Sequence, residues 1–337
     1  MLSVFLYETS HAQEPTAPQQ AAPQQTPTPA DAEPVERIDT DLTSILLSAT
    51  DKKRNFVTTL RAEDLRVTED GVEQNIASFE RETDAPLSLS LLVDTSASQE
   101  KVMNVEREAA SAFVRSVLRP DKDTASVISF TGVTLLEQPP TNDSAKLLSA
   151  ISRLRVEYTE DNPICKNKDT PEEIFLRCRT LVFDAVRVTS SEVLSKTPEQ
   201  TRRAIILLSD GDDSHNRTPI YRAVEQAVRS NVAIYSIGIR DPHFRSGEMR
   251  RDYLTRLAEE TGGRAFFPKT PRDLAAAFAQ IESELRSQYL IAYQPKNRAF
   301  NGAFRRLQIE ITNPSLRKQK LRLLYRQGYY AKAKTTG

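Results

Sequence analysis

LSLSLLVDTSAS, residues 87–98, is an apolar run that stops on one acid and two serines. Leu89, Leu91, Leu92 and Val93 lose the polar alternation of a half-exposed strand by the end of the run, the pattern of a strand covered on both faces. Asp94, Ser96 and Ser98 follow at i, i+2 and i+4, and a helical pattern starts at about Gln99. Three oxygen side chains therefore sit on a tight strand-to-helix turn. In open α/β sheets ligands gather outside the carboxyl ends of strands, so this turn is the first candidate for a site.

Downstream of the turn, Val102, Val105, Ala109, Phe113 and Val117 recur at helical spacing until Pro120, and mark a core-facing stripe. TASVISF (124–130) reads as a second strand, Thr131-Gly132 as a turn and 145–154 as a helix. A polar stretch over 157–179 is longer than ordinary connections and leads into a helix over 181–194. RRAIILLSDGDD then supplies an apolar strand over 203–209 that delivers Asp210, and Gly211 lets the chain turn away. Thr218-Pro219 reads as an N-cap and first-turn proline for a helix to Arg229, followed by a buried strand over 232–239. A helix over 253–260 closes on Gly262-Gly263, and a last helix carries Leu274, Phe278, Ile281 and Leu285 on one stripe. Strands alternating with helices predict an α/β fold, Rossmann-like, with a mostly parallel central sheet and helices on both faces.

The flanks have a different pattern. Strand-like stretches run over 38–49, 64–68 and 76–80, with Asp70-Gly71 as a hairpin turn between the last two. YLIAYQP, RRLQIEIT and LRLLYR read as strands near the other end, the latter two with the period of two of a half-exposed sheet. Residues 304–330 are expected to pair with the N-terminal strands in a small β-sandwich-like module. The boundaries expected are a leader over 1–12, a Pro/Gln-rich tether over 13–34, the N-terminal β module over 35–84, the α/β domain over 85–295 and the C-terminal β extension over 296–337.

Asp94-x-Ser96-x-Ser98 in this context resembles the metal-ion-dependent adhesion site of von Willebrand factor A domains. That pattern asks for a Thr on a second loop and an Asp at the end of another strand, and Thr180 in RTLVFDAV and Asp210 match them. The segment ATDKKRNFVTTLRAEDLRVTEDGVEQNIASFE (49–80) and the ending RQGYYA (326–331) also resemble a bacterial, Acidobacteria-type family of A-domain-related proteins. The resemblance implies Ser96, Ser98 and Thr180 as hydroxyl ligands and Asp94 and Asp210 as charge-balancing carboxylates of Mg2+ or Mn2+. Such hard oxygen donors suit those ions, which keep several waters. A protein partner presenting an Asp or Glu carboxylate would complete the shell. The plainer reading is that Asp94 caps the helix, Ser96 and Ser98 satisfy turn amides, and Asp210 sits in an ordinary loop. Asp184, Asp212, Asp213 and His215 are the neighbours that could orient a metal-bound water or add potential at the rim, or else are ordinary solvated turn and helix residues.

Composition narrows the function. The chain has 337 residues with 46 Lys+Arg against 46 Asp+Glu, so no net field favours nucleic acid. No apolar stretch reaches the length of a membrane-spanning helix. A hydrolase using Asp94 or Ser96 as nucleophile is the enzymatic rival, but the chain has no Gly-x-Ser-x-Gly elbow, no Walker glycine loop and only three histidines, His11, His215 and His243. Binding is therefore expected over catalysis, either as an adhesion or interaction module or as an assembly scaffold with the metal as a staple.

The apolar start, Leu2 to Tyr7, with Ser10-His11-Ala12 as a small-x-small site, is expected to be the back half of a secretory signal, which would place the mature protein in the periplasm or outside the cell. A cytoplasmic protein with an apolar N-terminus is the alternative. Cys165 and Cys178 are too few for a structural zinc site. A disulfide worth about 3 kcal/mol in the chain-entropy model fits an oxidising compartment, and two reduced thiols are the other reading.

Overall fold

The computed structural model describes residues 42–81, 84–156, 179–214, 217–244 and 248–333. The expected leader and tether, the expected disulfide of Cys165 with Cys178, and His215 lie outside the described residues. The chain opens with β1 (Thr43–Thr50), β2 (Leu65–Glu69), β3 (Val72–Gln74) and β4 (Ile76–Arg81). The α/β part follows as β5 (Leu87–Asp94), α1 (Met103–Val117), β6 (Thr124–Phe130), β7 (Thr134–Thr141), α2 (Ser144–Arg153) and α3 (Val182–Val188). It continues through β8 (Arg202–Ser209), α4 (Ile220–Arg229), β9 (Val232–Gly238), α5 (Arg251–Thr261), β10 (Ala265–Phe266) and α6 (Pro271–Leu285). The chain then adds β11 (Tyr289–Tyr293), β12 (Phe304–Ile311), α7 (Pro314–Gln319), β13 (Arg322–Leu324) and β14 (Gly328–Tyr330).

Six strands form the central sheet in the order β10-β9-β8-β5-β6-β7. All pairings are parallel except β6 with β7. This is the Rossmann-like α/β arrangement the alternation of strands and helices predicts. Every residue of β5 is buried. Leu89, Leu91 and Val93 pack with Phe113 of α1, Leu147 of α2 and Phe278 of α6 on one face. Leu92 joins Val186 of α3, Val224 of α4 and Leu254 of α5 on the other. Ser90, on that second face, shares a hydrogen bond with Ser126 across the sheet at 2.8 Å, so burial leaves its hydroxyl satisfied. Each Leu or Val so covered contributes about 1.5–3 kcal/mol. A one-residue slip would exchange the two faces, so the register of β5, and with it the position of Asp94, is firmly set.

Four local expectations change. The buried face of α1 is Met103, Glu106, Ala110, Phe113, Val114 and Val117, while Val102, Val105 and Ala109 are only partly buried. The stripe is rotated by about one residue, because the apolar pattern passes over the charged Glu106. Strand β7, absent from the sequence reading, is an edge strand that carries Pro139 and Pro140 and exposes Leu135 and Leu136. Prolines within a strand pattern argue against a central strand and are tolerated at an edge. The helix expected over 181–194 is α only over Val182–Val188 and passes into a π turn at Thr189–Val193 and a 3-10 turn at Leu194–Lys196. Ser190 Oγ donates to the Val186 carbonyl and Ser195 Oγ to that of Ser191, back-bonding that loosens a helix. Thr218 is not the N-cap of α4: Pro219 holds that position and the Thr218 hydroxyl donates to Asp184 Oδ1 at 2.9 Å.

The flanks fold into two antiparallel sheets, β13-β1-β11-β4 and β14-β12-β2-β3. Ile45, Leu47, Val67, Ile291, Leu307 and Ile309 share one core there, so N- and C-terminal segments build one module. Asp70 and Gly71 have φ of 49° and 82°, as a two-residue hairpin requires, but the hairpin joins β2 to β3 rather than to β4. Inside this module Arg305 Nη1 meets Glu69 Oε1 at 3.1 Å with both residues buried. The Tyr293 and Tyr329 hydroxyls donate to Glu69 Oε2 at 2.7 and 2.8 Å. Among the described residues no helix is long and apolar enough to cross a membrane.

Candidate metal centre

β5 and β8 lie side by side, but the chain leaves β5 toward β6 on one side and β8 toward β9 on the other. Their carboxyl ends thus flank a topological switch point, where crossover connections diverge and leave a crevice. Asp94 is the last residue of β5 and Asp210 the first after β8, so each strand delivers a carboxylate to the same crevice.

A chain of hydrogen bonds fixes the two acids. Asp94 Oδ1 accepts from the Ser96 amide at 2.9 Å, an Asx turn that bends the chain out of the strand. Asp94 Oδ2 accepts from the Ser209 hydroxyl at 2.6 Å, and Ser209 Oγ in turn accepts from the Gly211 amide at 3.0 Å. The hydroxyls of Ser96 and Ser98 are 3.2 Å apart. Ser98 Oγ also accepts from Gln99 Nε2 at 3.1 Å, and the Ser98 carbonyl accepts from the Asp241 amide at 2.9 Å. Asp210 Oδ1 accepts from the Asp212 amide at 3.1 Å, while Oδ2 pairs with Arg240 Nη1 at 3.0 Å. Gly211 has φ +78°, and a Cβ there would sit 2.8 Å from Leu254 Cγ, so the turn beneath Asp210 has no room for a side chain.

Thr180 is on a different loop, and the backbone ties it in. Its amide donates to Ser214 Oγ at 2.9 Å, and the Ser214 amide donates to its carbonyl at 3.1 Å, four residues beyond Asp210. The Leu181 amide donates to the Thr131 carbonyl at 3.0 Å, one residue past Phe130, which is the β6 partner of Asp94. All three loops of the expected set therefore meet at one end of the sheet. The direct hydrogen-bonded cluster is Asp94, Ser96, Ser98, Ser209 and Asp210 with Arg240; Thr180 joins through its main chain.

Burial and mutual repulsion dominate the electrostatics. Desolvation, then the nearby Asp210 charge, push the Asp94 carboxyl up to about 7, against the hydrogen bonds from Ser209 and Ser96 that favour the anion. Asp210 is raised too, chiefly by burial, while the Asp212 amide, the Ser98 side chain and Arg240 oppose the rise. Two carboxylates forced together out of water favour a proton or a cation between them.

The neighbouring acids have other engagements. Asp184 Oδ1 accepts from Arg187 Nη2 at 2.9 Å and from Thr218. Asp213 Oδ2 accepts from the Phe183 amide at 3.0 Å and so holds the start of α3. Asp212 lends its backbone amide to Asp210. His243 is largely exposed and sits 3.2 Å from Asp241.

Sequence reasoning missed three residues here. Ser209 had a signal, since it lies on the same strand face as Leu207 and so points the way Asp94 does. Arg240 follows the expected fourth strand with no local pattern to distinguish it. Glu106 had no usable signal, because the apolar stripe read from the sequence steps around it and only the packing of α1 turns it inward.

The donors present fit a hard divalent cation: carboxylate and hydroxyl oxygens, with no imidazole or thiolate in the described cluster. Among the described residues no three His, Cys, Asp or Glu side chains are placed to share an ion. A cation here would lean on the Ser96 and Ser98 hydroxyls and on water as much as on Asp94 and Asp210.

The family model of the von Willebrand factor type A domain matches residues 89–280. Solved structures with a similar fold include an aerotolerance-related membrane protein from Bacteroides fragilis, 15% identical with a TM-score of 0.45 over 59% of this chain and 99% of that one. A von Willebrand factor type A protein from Catenulispora acidiphila is 12% identical, TM-score 0.47, over 82% and 76%. Proximal thread matrix protein 1 from the mussel byssus, solved with a zinc-occupied MIDAS motif, is 14% identical, TM-score 0.48, over 64% and 49%. No curated protein matches the sequence.

Proposed function

This chain belongs to the von Willebrand factor type A domain family, and we propose that it is a metal-dependent protein-binding module whose site is Asp94, Ser96, Ser98, Thr180 and Asp210. A Mg2+-class ion, Mg2+ or Mn2+, supplies a coordination position for a carboxylate of a protein partner. Asp94 and Asp210 balance its charge, and the Ser96, Ser98 and Thr180 hydroxyls complete the protein's share of the shell. The observation that carries this reading is the convergence of two buried carboxylates, from adjacent strands, on a cluster of hydroxyls at the switch point.

Recognition through binding rather than catalysis is supported by the surroundings of the acids. The Ser96 and Ser98 hydroxyls hydrogen-bond to each other and Ser98 Oγ accepts from Gln99 Nε2, with no described histidine beside them to act as base. Export to the periplasm or beyond is proposed from the apolar start and small-x-small pattern of residues 2–12, and N-terminal sequencing of the mature protein tests it, with thiol titration testing whether Cys165 and Cys178 pair. The functional test is capture of proteins from an envelope extract by the immobilised chain, with and without EDTA. Capture lost on chelation while the fold persists supports the reading. Capture equal with and without EDTA refutes it, and unfolding by EDTA points instead to the metal as a structural staple of a scaffold.

A further inference from the structure

Glu106 stands one turn into α1, whose first residue is Met103, on the face turned to the core. Its neighbours on that face are Met103, Ala110, Phe113, Val114 and Val117. It is only 2% exposed, and both carboxylate oxygens lack a hydrogen-bond partner among the described residues. An unpaired buried carboxylate is expensive to keep, and a leucine would fill the same place in a core stripe without that cost. Burial first, then the charges of Asp94 and Asp210, hold its carboxyl well above the usual carboxylate range, so it lies within the electrostatic reach of both. The path between them is short in the chain: the turn Ala97–Gln99 follows Ser96, the Val102 amide donates to the Gln99 carbonyl, and the Glu106 amide donates to that of Val102.

Charge balance gives this acid a use. Asp94 and Asp210 alone would neutralise a divalent ion, but Arg240 already holds one oxygen of Asp210 at 3.0 Å. A third buried negative charge restores neutrality when both Arg240 and a divalent ion are present. Among the described residues no three acids are placed to share an ion, so the role open to Glu106 is action through space and through coordinated water.

We propose that Glu106 is a positioning residue of the metal centre, supplying a third buried negative charge from the first turn of α1, which follows the Ser96–Ser98 turn, and accepting hydrogen bonds from water in the ion's shell. The inference rests on the reading of Asp94 and Asp210 as a cation site and adds to it a determinant outside the DxSxS, Thr and Asp pattern. Outer-shell partners of this kind orient the groups that touch the metal and tune its affinity.

Calorimetric titration of the full chain with Mn2+ tests it, using wild type, Glu106→Gln, Glu106→Asp and Asp94→Asn, each melted in EDTA to verify folding. Glu106→Gln keeps shape and removes charge, so Mn2+ binding is expected to weaken about tenfold or more while the melting temperature in EDTA stays at or above wild type. Glu106→Asp restores part of the affinity. A merely structural Glu106 would shift the melt and leave the affinity alone, so a loss smaller than about threefold in Glu106→Gln overturns the proposal. If Asp94→Asn abolishes binding and Glu106→Gln does not weaken it, this inference alone fails. If wild type takes up no Mn2+, the cation site itself fails and Glu106 with it.

Discussion

Replacing Asp94 by Asn should make the metal-free protein more stable than wild type at alkaline pH and leave it less stable than wild type once metal is added. A carboxyl whose folded-state pKa is raised binds its proton more tightly when folded, so its stabilising contribution is complete below the unfolded value and lost as pH rises through the folded one. For Asp94 that window runs from 3.8 up to about 7. Each pKa unit corresponds to about 1.4 kcal/mol, so the buried anion costs the apo fold on the order of 4 kcal/mol by pH 8. Asn removes that cost but cannot accept from both the Ser96 amide and the Ser209 hydroxyl as the carboxylate does, a loss of about 1 kcal/mol. The net gain at pH 8 in EDTA is about 3 kcal/mol, or roughly 4 °C in Tm for a chain of this size. Near pH 4 the gain vanishes. Saturating Mn2+ at about a thousandfold excess over Kd adds about 4 kcal/mol to wild type and nothing to the variant, which reverses their order. Thermal melts of both proteins at pH 4.5 and pH 8, with EDTA and with Mn2+, measure all four corners. An Asn variant less stable than wild type by the same amount at both pH values in EDTA would refute the reasoning, because the cost assigned to the buried charge would then be absent.

Other substitutions probe the support of the site. Gly211→Ala forces a side chain into a left-handed turn against Leu254 Cγ and the Arg250 carbonyl, and should cost about 1–3 kcal/mol in urea unfolding with weaker Mn2+ uptake. Arg240→Gln frees Asp210 Oδ2 from its 3.0 Å ion pair; it should tighten Mn2+ binding severalfold by calorimetry, as removal of a nearby cation predicts, and unchanged affinity would show that Arg240 does not compete. Glu69→Ala strands Arg305 in the flanking core and should destabilise by about 3–5 kcal/mol, read as a lower urea midpoint.

Much of this architecture was legible in the sequence because its signals are local. The run over 87–93, whose Leu/Ser alternation gives way to Leu91-Leu92-Val93, marks a doubly covered strand, and Asp94, Ser96 and Ser98 follow it by fixed spacing into the crevice. Asp210 was legible for the same reason, standing at the end of a second run. Glu106 was not, because a stripe drawn through Val102, Val105 and Ala109 steps around an acid, and only the packing against the sheet rotates that acid inward. Strand β7 was hidden by Pro139 and Pro140, which suit an edge and read as a break. Arg240 was hidden because its role depends on β8 and β9 lying side by side, where the Ile239 amide donates to the Ser209 carbonyl. The site of Thr180 was readable as a match, whereas the bonds that draw its loop inward, through Ser214 and Thr131, join residues far apart in the chain.

The most direct measurement is a crystal soaked with Mn2+ and analysed by anomalous scattering. One peak enclosed by the Asp94 and Asp210 carboxylates and the Ser96, Ser98 and Thr180 hydroxyls, and missing from crystals of Asp94→Ala, is the predicted result. A crevice without a peak under saturating Mn2+, or a peak that survives in Asp94→Ala, would contradict it.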